Sequence, residues 1–510
     1  MAASHQIGTP NRLAITLCVG LATIMQALDT TIANISIPYI QGSMAANLDE
    51  ANWVLTSYIV AAAIMTPPTG YLAGRFGRKR LFLITIVGFT IASMLTGRAE
   101  SIGEIVVFRF VQGAFGAALV PLSQAVLLDT YPTEQHGRAM SYWGMAVMLG
   151  PILGPVIGGW LTENVSWRWD FYINVPIGAL AFAGIMIFLP ETPRVKAKLD
   201  WFGFITLSIA TAGLQLVLDR GEELDWFAST EIILEAIAAA GAFWLFLVHT
   251  FTVKDPFIKP ALFRDRNFTA GIIFVAIVGL ILYAPLSLLP PYMQDMMNYP
   301  VFTAGIALAP RGIGTMFSMM IAGRLIGKVD TRILLAAGLV MMAWALYAMT
   351  GWTPAVSMTT LVINGIVQGA GLGLLFVPLS TVIFATLSVQ YRTEGTGIYT
   401  YVRNIGSSIG ISIVQAMLVS ETQINHATIG QYVTPFNRLF AHGAIAHFLS
   451  PYTAAGRALL DSVVSQQALI IAYIDDFKLV MIVSLLALPL LLLFRRPPKG
   501  GAKPGAPGIE

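Results

Sequence analysis

A single cysteine, Cys18, stands in 510 residues, which excludes a disulfide framework and any cysteine-based metal site. Charge is almost as scarce. Asp, Glu, Lys and Arg make up 11% of the chain, while 56% is hydrophobic and the mean hydropathy is +0.72. An ordinary soluble domain carries about a quarter charged residues, so that class is excluded as well. The six histidines (5, 136, 249, 426, 442 and 447) do not gather on one apolar run. Those at 426, 442 and 447 lack ligand spacing, and neither a metal site nor a histidine-based enzyme is expected. No phosphate-binding G-x-x-x-x-G-K-[ST] loop occurs, because Gly323–Lys328 has neither the spacing nor the hydroxyl residue. ATP is therefore not the expected fuel.

Apolar length is what the chain has in quantity. Runs long enough to cross a ~30 Å hydrocarbon core lie near 13–38, 52–73, 81–97, 103–128, 139–162, 170–190, 201–218 and 231–252. Six more lie near 268–290, 303–326, 332–350, 358–388, 395–420 and 477–494. The first has no small-residue cleavage site after it and reads as an uncleaved span rather than a signal peptide. Fourteen spans put both termini on one side, and loop Lys and Arg choose that side. Arg75, Arg78, Lys79, Arg80, Arg194, Lys254, Lys259, Arg264, Arg266, Arg495 and Arg496 all fall there, so both termini are expected in the cytoplasm.

The chain also repeats itself. Val111-Gln112-Gly113-Ala114 precedes Val120-Pro121-Leu122-Ser123, and Val367-Gln368-Gly369-Ala370 precedes Val377-Pro378-Leu379-Ser380. Ala73-Gly74-Arg75-Phe76-Gly77-Arg78 is matched by Ala322-Gly323-Arg324-Leu325-Ile326-Gly327-Lys328. Each match advances by eight spans, so two parallel six-helix halves with two inserted helices are expected. Such halves enclose the midplane site of rocking transporters. The boundaries are 1–200 for the first half, 201–266 for the inserted helices and 267–496 for the second half with an outer loop at 421–476. A disordered cytoplasmic tail is expected at 497–510, because it is rich in Pro, Gly and Lys.

Ionisable groups inside a membrane are costly and mark function by default. Asp29 lies about 16 residues into the first span, ~24 Å along a helix, and Arg109 about six residues into the oppositely running fourth, ~9 Å. That places both in the outer third of the membrane, where they can pair. Protonating Asp29 would release Arg109 to another acceptor, which makes the pair a proton switch. A static structural pair, or an Arg109 that snorkels to the outer surface, is the alternative. Arg311 and Arg403 are single cations in second-half spans, and Arg403 is the better placed of the two to attract an anionic substrate. Gln26, Asn34, Gln112 and Gln368 are polar at membrane depth and, with Arg403, are expected to line a substrate cavity. Within Gly150-Pro151-Ile152-Leu153-Gly154-Pro155-Val156-Ile157-Gly158-Gly159, glycine recurs every fourth residue, a stripe that lets another helix approach closely. Pro151 and Pro155 each remove a backbone donor and bend the helix. Gly70, Arg75, Gly77, Arg78 and Lys79 form a tight, positively charged turn between spans two and three.

The Gly150–Gly159 stretch resembles the antiporter motif of proton-coupled drug exporters of the major facilitator superfamily. With Leu28–Pro38, Gly70–Arg80, Arg109, Gln112-Gly113 and Trp167–Pro176, the chain is similar over nearly its whole length to the fourteen-span drug:proton antiporter family, EmrB-type inner-membrane export pumps in particular. One position departs from the pattern. Gly74 stands where the family's signature loop usually holds an acid that latches the inner gate, so Asp129 or Glu134 would have to replace it.

The resemblance implies an all-α polytopic protein of major facilitator fold in the bacterial inner membrane. It implies efflux of hydrophobic or amphipathic drugs or fatty-acid-like compounds in exchange for protons, with no cofactor. Its implied partners are a periplasmic adaptor protein of the EmrA type and a TolC-like outer-membrane channel. A facilitator or symporter of the same fold is the alternative, and a polytopic membrane enzyme a remoter one.

Overall fold

The computed structural model describes residues 11–194, 199–434, 450 and 452–495. The tail expected at 497–510 lies outside the described residues, as do 435–449 and 451 of the expected outer loop. Among the described residues, the helices of the first half are α1 (Arg12–Met44), α2 (Leu48–Met65), α3 (Arg78–Arg98), α4 (Ile102–Thr130), α5 (Thr133–Asn164) and α6 (Trp169–Phe188). Two follow as an antiparallel pair, α7 (Trp201–Arg220) and α8 (Thr230–Thr252). The rest are α9 (Arg266–Met296), α10 (Phe302–Leu325), α11 (Thr331–Met349), α12 (Met358–Ala385), α13 (Val389–Gly430) and α14 (Ala454–Leu493).

Side chains that hydrogen-bond the first free backbone N–H groups start many of these helices. Asn11, Ser101, Asp200, Asp265, Ser357 and Thr453 each accept such a bond, and Asn47 with Glu50 closes a full capping box at α2. Among the described residues, thirteen helices are long and apolar enough to cross a membrane, and α2, apolar over Glu50–Met65, is a short one. Large apolar side chains cover the outside. On α8, Trp244 and Phe251 are 67% and 76% exposed, which fits a lipid-facing helix and not a water-facing one.

Packing follows the internal repeat. α1 lies on α5 as α9 lies on α13, α2 on α4 as α10 on α12, and α3 on α4 as α11 on α12. Two glycines show the same equivalence in their backbone. Gly77 and Gly327 both have φ +87°, a left-handed conformation that an L side chain would strain, and they occupy matching turns. The halves meet mainly where α5 packs on α10 and α12, and where α4 meets α13, while α7 lies against α2 and α13.

Of the expected outer segment 421–476, the described residues are largely helix. α13 continues to Gly430 and α14 begins at Ala454. Apolar runs mark where lipid begins and ends, but a helix has no reason to stop there if its polar continuation can also cap and pack. For orientation, the face on which α1 begins is called proximal and the other distal.

Candidate functional site

Close backbone contacts position the site before any polar group does. The Cβ that Gly113 lacks would lie 2.3 Å from the Tyr58 carbonyl oxygen, so α4 touches α2 there. On α5, a Cβ at Gly150 would lie 2.4 Å from the Ala27 carbonyl carbon, and one at Gly154 2.7 Å from Thr31 Cβ. Gly158 is nearly as tight against Ile32, at 3.0 Å, whereas Gly159 faces open space. The three-glycine stripe thus seats α5 on the segment of α1 that carries Asp29. The neighbouring face of α5 meets the second half: Ile152 fills the space over Gly312, and Pro155 lies 3.6 Å from the Cβ position of Gly305.

Five helices converge on Asp29. Arg109 Nη1 donates to Asp29 Oδ2 at 2.6 Å and to Gln112 Oε1 at 3.0 Å. Gln112 Nε2 donates to Asp29 Oδ1 at 2.7 Å, and Asn174 Nδ2 donates to the same oxygen at 2.8 Å. Asn174 also donates to Ser93 Oγ at 2.9 Å, and Ser93 in turn donates to the Phe171 carbonyl at 2.8 Å. Arg109 Nε donates to the Val54 carbonyl, and the guanidinium lies 4.2 Å from the centre of the Tyr58 ring, a cation–π contact. Gln26 Nε2 donates to the Tyr58 hydroxyl at 3.2 Å. Asp29 is 1% exposed and Arg109 0%, so neither charge reaches solvent. One guanidinium nitrogen, Arg109 Nη2, has no hydrogen-bond partner among the described residues.

The two charges that sequence reasoning placed at one depth are therefore in contact. Gln112 belongs to this cluster and Gln26 touches it through Tyr58, but Asn34 is exposed. In the second half, Gln368 is buried with neither amide atom partnered. Arg311 Nη2 donates to the Leu282 carbonyl at 3.1 Å, and the Arg403 guanidinium lies over the Phe376 ring at 5.8 Å. Sequence reasoning missed Tyr58, Ser93 and Asn174. It also missed Asp170, whose Oδ2 accepts from both Ser36 and Thr162 at 2.5 Å. Charge inside an apolar run was the signal that found Asp29, and a neutral Asn or Tyr carries none.

At the proximal face, Asp129 at the end of α4 bridges the halves. Arg78 Nη1 donates to its Oδ2, and Arg392 Nη1 of α13 donates to its Oδ1 at 3.0 Å. The first turn of α13 presses on the short helix Thr69–Phe76, where a Cβ on Gly70 would lie 2.7 Å from Glu394 Cα. Gly74 has open space around it, Arg75 donates to the Tyr71 hydroxyl, and Lys79 is half-buried. Of the two acids weighed as replacements, Asp129 makes the bridge and Glu134 is exposed. Toward the distal face a cleft of about 400 Å³ opens between α2, α7 and α13, with Trp53, Thr56, Asp219 and Gln415 in its wall. Thr56 donates to Asp219 across it.

Comparison with known proteins agrees with this architecture. The family model described as Major Facilitator Superfamily matches residues 19–411. The chain is 34% identical over 487 residues to the fatty acid resistance protein FarB of Neisseria gonorrhoeae, covering 95% of this chain and 96% of that protein. It is 36% identical over 428 residues to the multidrug export protein EmrB of Escherichia coli K12, covering 83% of each. Among solved structures, the proton:xylose symporter XylE superposes with a TM-score of 0.59 at 15% identity, over 92% of this chain and 96% of that one. The human organic anion transporter MFSD10 gives 0.57 at 14% identity, over 93% and 100%. At these identities the two structures speak for the fold alone. With its repeated helical halves and a family match across most of its length, the chain belongs to the Major Facilitator Superfamily of membrane transporters.

Proposed function

We propose that this protein is a proton-coupled multidrug efflux antiporter of the bacterial inner membrane, with both termini cytoplasmic. The single observation that carries the reading is the buried Asp29–Arg109 pair, completed by Gln112 and Asn174. An ionised carboxylate in so dry a site is stable only while those donors stay in place. A proton taken up by Asp29 removes that requirement and frees Arg109, so helices α1, α4 and α6 change partners together. Alternating access then follows as a rocking of the two halves about α5 and α10. With the proximal face read as cytoplasmic, the contacts at Asp129 and Gly70 hold the inner side of the two halves together in this conformation.

Relatives named for multidrug export and for fatty acid resistance support hydrophobic or amphipathic substrates. Gln26, Asn34, Gln368 and Arg403 are the proposed cavity residues, with Arg403 receiving an acidic group. No cofactor is needed. One inward proton contributes ~2.3 kcal/mol per 100 mV of membrane potential, and ~1.4 kcal/mol sustains a tenfold substrate gradient. The proposed partners are a periplasmic adaptor of the EmrA type and a TolC-like outer-membrane channel.

A facilitator or a symporter on the same fold is the competing reading. Proteoliposomes loaded with substrate separate the three. Antiport predicts that an imposed proton gradient drives substrate against its own gradient and in the opposite direction to the protons. Substrate that merely equilibrates after the gradient collapses, at an unchanged rate, marks a facilitator. Co-directional movement marks a symporter.

A further inference from the structure

At the distal end of the second half, α14 buries a carboxyl group that nothing among the described residues pairs. Asp476 is 0% exposed, and neither of its oxygens has a hydrogen-bond partner among the described residues. It shares a helix face with Tyr473 and Phe477, whose rings pack on Tyr292 of α9 and on Trp352, with centroids 5.1 to 6.4 Å apart. The Tyr292 hydroxyl and the Trp352 indole N–H are buried and unpartnered as well. Asp476 is therefore buried on the helix that carries part of this aromatic cluster, and no described donor is hydrogen-bonded to it.

The charges around it are of the wrong sign to hold an anion. Asp475 on α14 and Glu421 on α13 both act on Asp476, and Asp295 on α9 acts on Tyr473 beside it. Lys478 is half exposed and donates to Asp475 at 2.8 Å. His426 of α13 pairs with Asp461 of α14 farther along the helices. α11, the remaining helix against α14, carries one charge, Arg332, at its proximal start, and an exposed Tyr347. Among the described residues, acids are the charges that act on Asp476, and a buried carboxylate without a partner is costly, whereas a carboxylic acid carries no charge to be held.

We propose that Asp476 is a second proton-binding carboxyl of this protein, holding its proton in the proximally closed conformation and releasing it when α14 parts from α13 and the end of α9. The end of α9 is suited to such a movement. Residues Tyr292–Met296 form a π-helical turn, a local irregularity found mostly where helices do something besides pack. This site is independent of Asp29 and stands or falls without it.

Infrared spectroscopy of the full chain reconstituted in lipid tests the proposal directly. At neutral pH the wild type should show a carbonyl band of a protonated carboxyl that disappears in Asp476→Asn and remains in Asp29→Asn. Raising the pH of the wild type into the alkaline range should remove the same band. Asn keeps the shape and neutrality of the protonated side chain, so the variant should fold. If it does not insert, Asp476→Glu must retain the band at a displaced frequency. A spectrum that Asp476→Asn leaves unchanged, or the absence of any protonated-carboxyl band from the wild type or from the Glu variant, overturns the proposal.

Discussion

Arg109 is the one cation bonded to Asp29, and removing it strands a carboxylate in an apolar interior. Breaking a buried pair from one side typically costs about 3–5 kcal/mol. Arg109→Gln should therefore lower the thermal midpoint of the purified protein, and adding Asp29→Asn should restore part of the loss. Equal and additive losses in the two single variants would mean that the groups do not act as a pair. Asp29 and Arg109 were legible in the sequence because a charge within an apolar run is conspicuous. Asn174, Ser93 and Tyr58 were not, since their importance comes from α2, α3 and α6 converging on α1. Asp170 was in view, but its position next to an expected loop hid that Ser36 and Thr162 bury it.

Among the elements, α5 carries the tightest constraint on the site. A methyl at Gly150 has no room against Ala27, so Gly150→Ala must push α1 and Asp29 aside. Overpacking of this kind typically costs about 1–3 kcal/mol. The expected result is a lowered thermal midpoint and impaired efflux, while Gly159→Ala, facing open space, should match wild type in both. The stripe was readable from its spacing, but its partner helix was not. α7 offers a prediction in pH. Burial alone would raise the carboxyl of Asp200, but the N–H groups of Gly203 and Phe257 and the His249 ring outweigh it and hold it below its ordinary value. That stabilisation is present above the ordinary carboxylate range and is lost as pH falls through it and below. Hydrogen exchange at the proximal ends of α7 and α8 should quicken on acidification, and Asp200→Asn should remove the pH dependence. An unchanged exchange profile would argue against the anchor.

For the whole molecule, the repeat predicted the architecture because three sequence matches in register imply equivalent packing, and α1 on α5 does pair as α9 on α13. What the sequence left open was how a chain with Gly74 closes its proximal gate. The Arg78–Asp129–Arg392 bridge supplies a link, and it joins residues far apart in the chain. Asp129→Asn should favour a proximally open state, read as a longer distance between spin labels on the proximal ends of α4 and α13. No change in that distance would show that the bridge does not latch the halves.

The central claim is that Asp29 carries the proton that drives export. It is tested most directly by reconstituting wild type and Asp29→Asn with a pH-sensitive dye inside the liposomes and adding a panel of hydrophobic acids and cations. Substrate-triggered proton movement in wild type that vanishes in a folded, inserted Asp29→Asn is the predicted result. Proton-driven efflux retained by that variant would contradict the account.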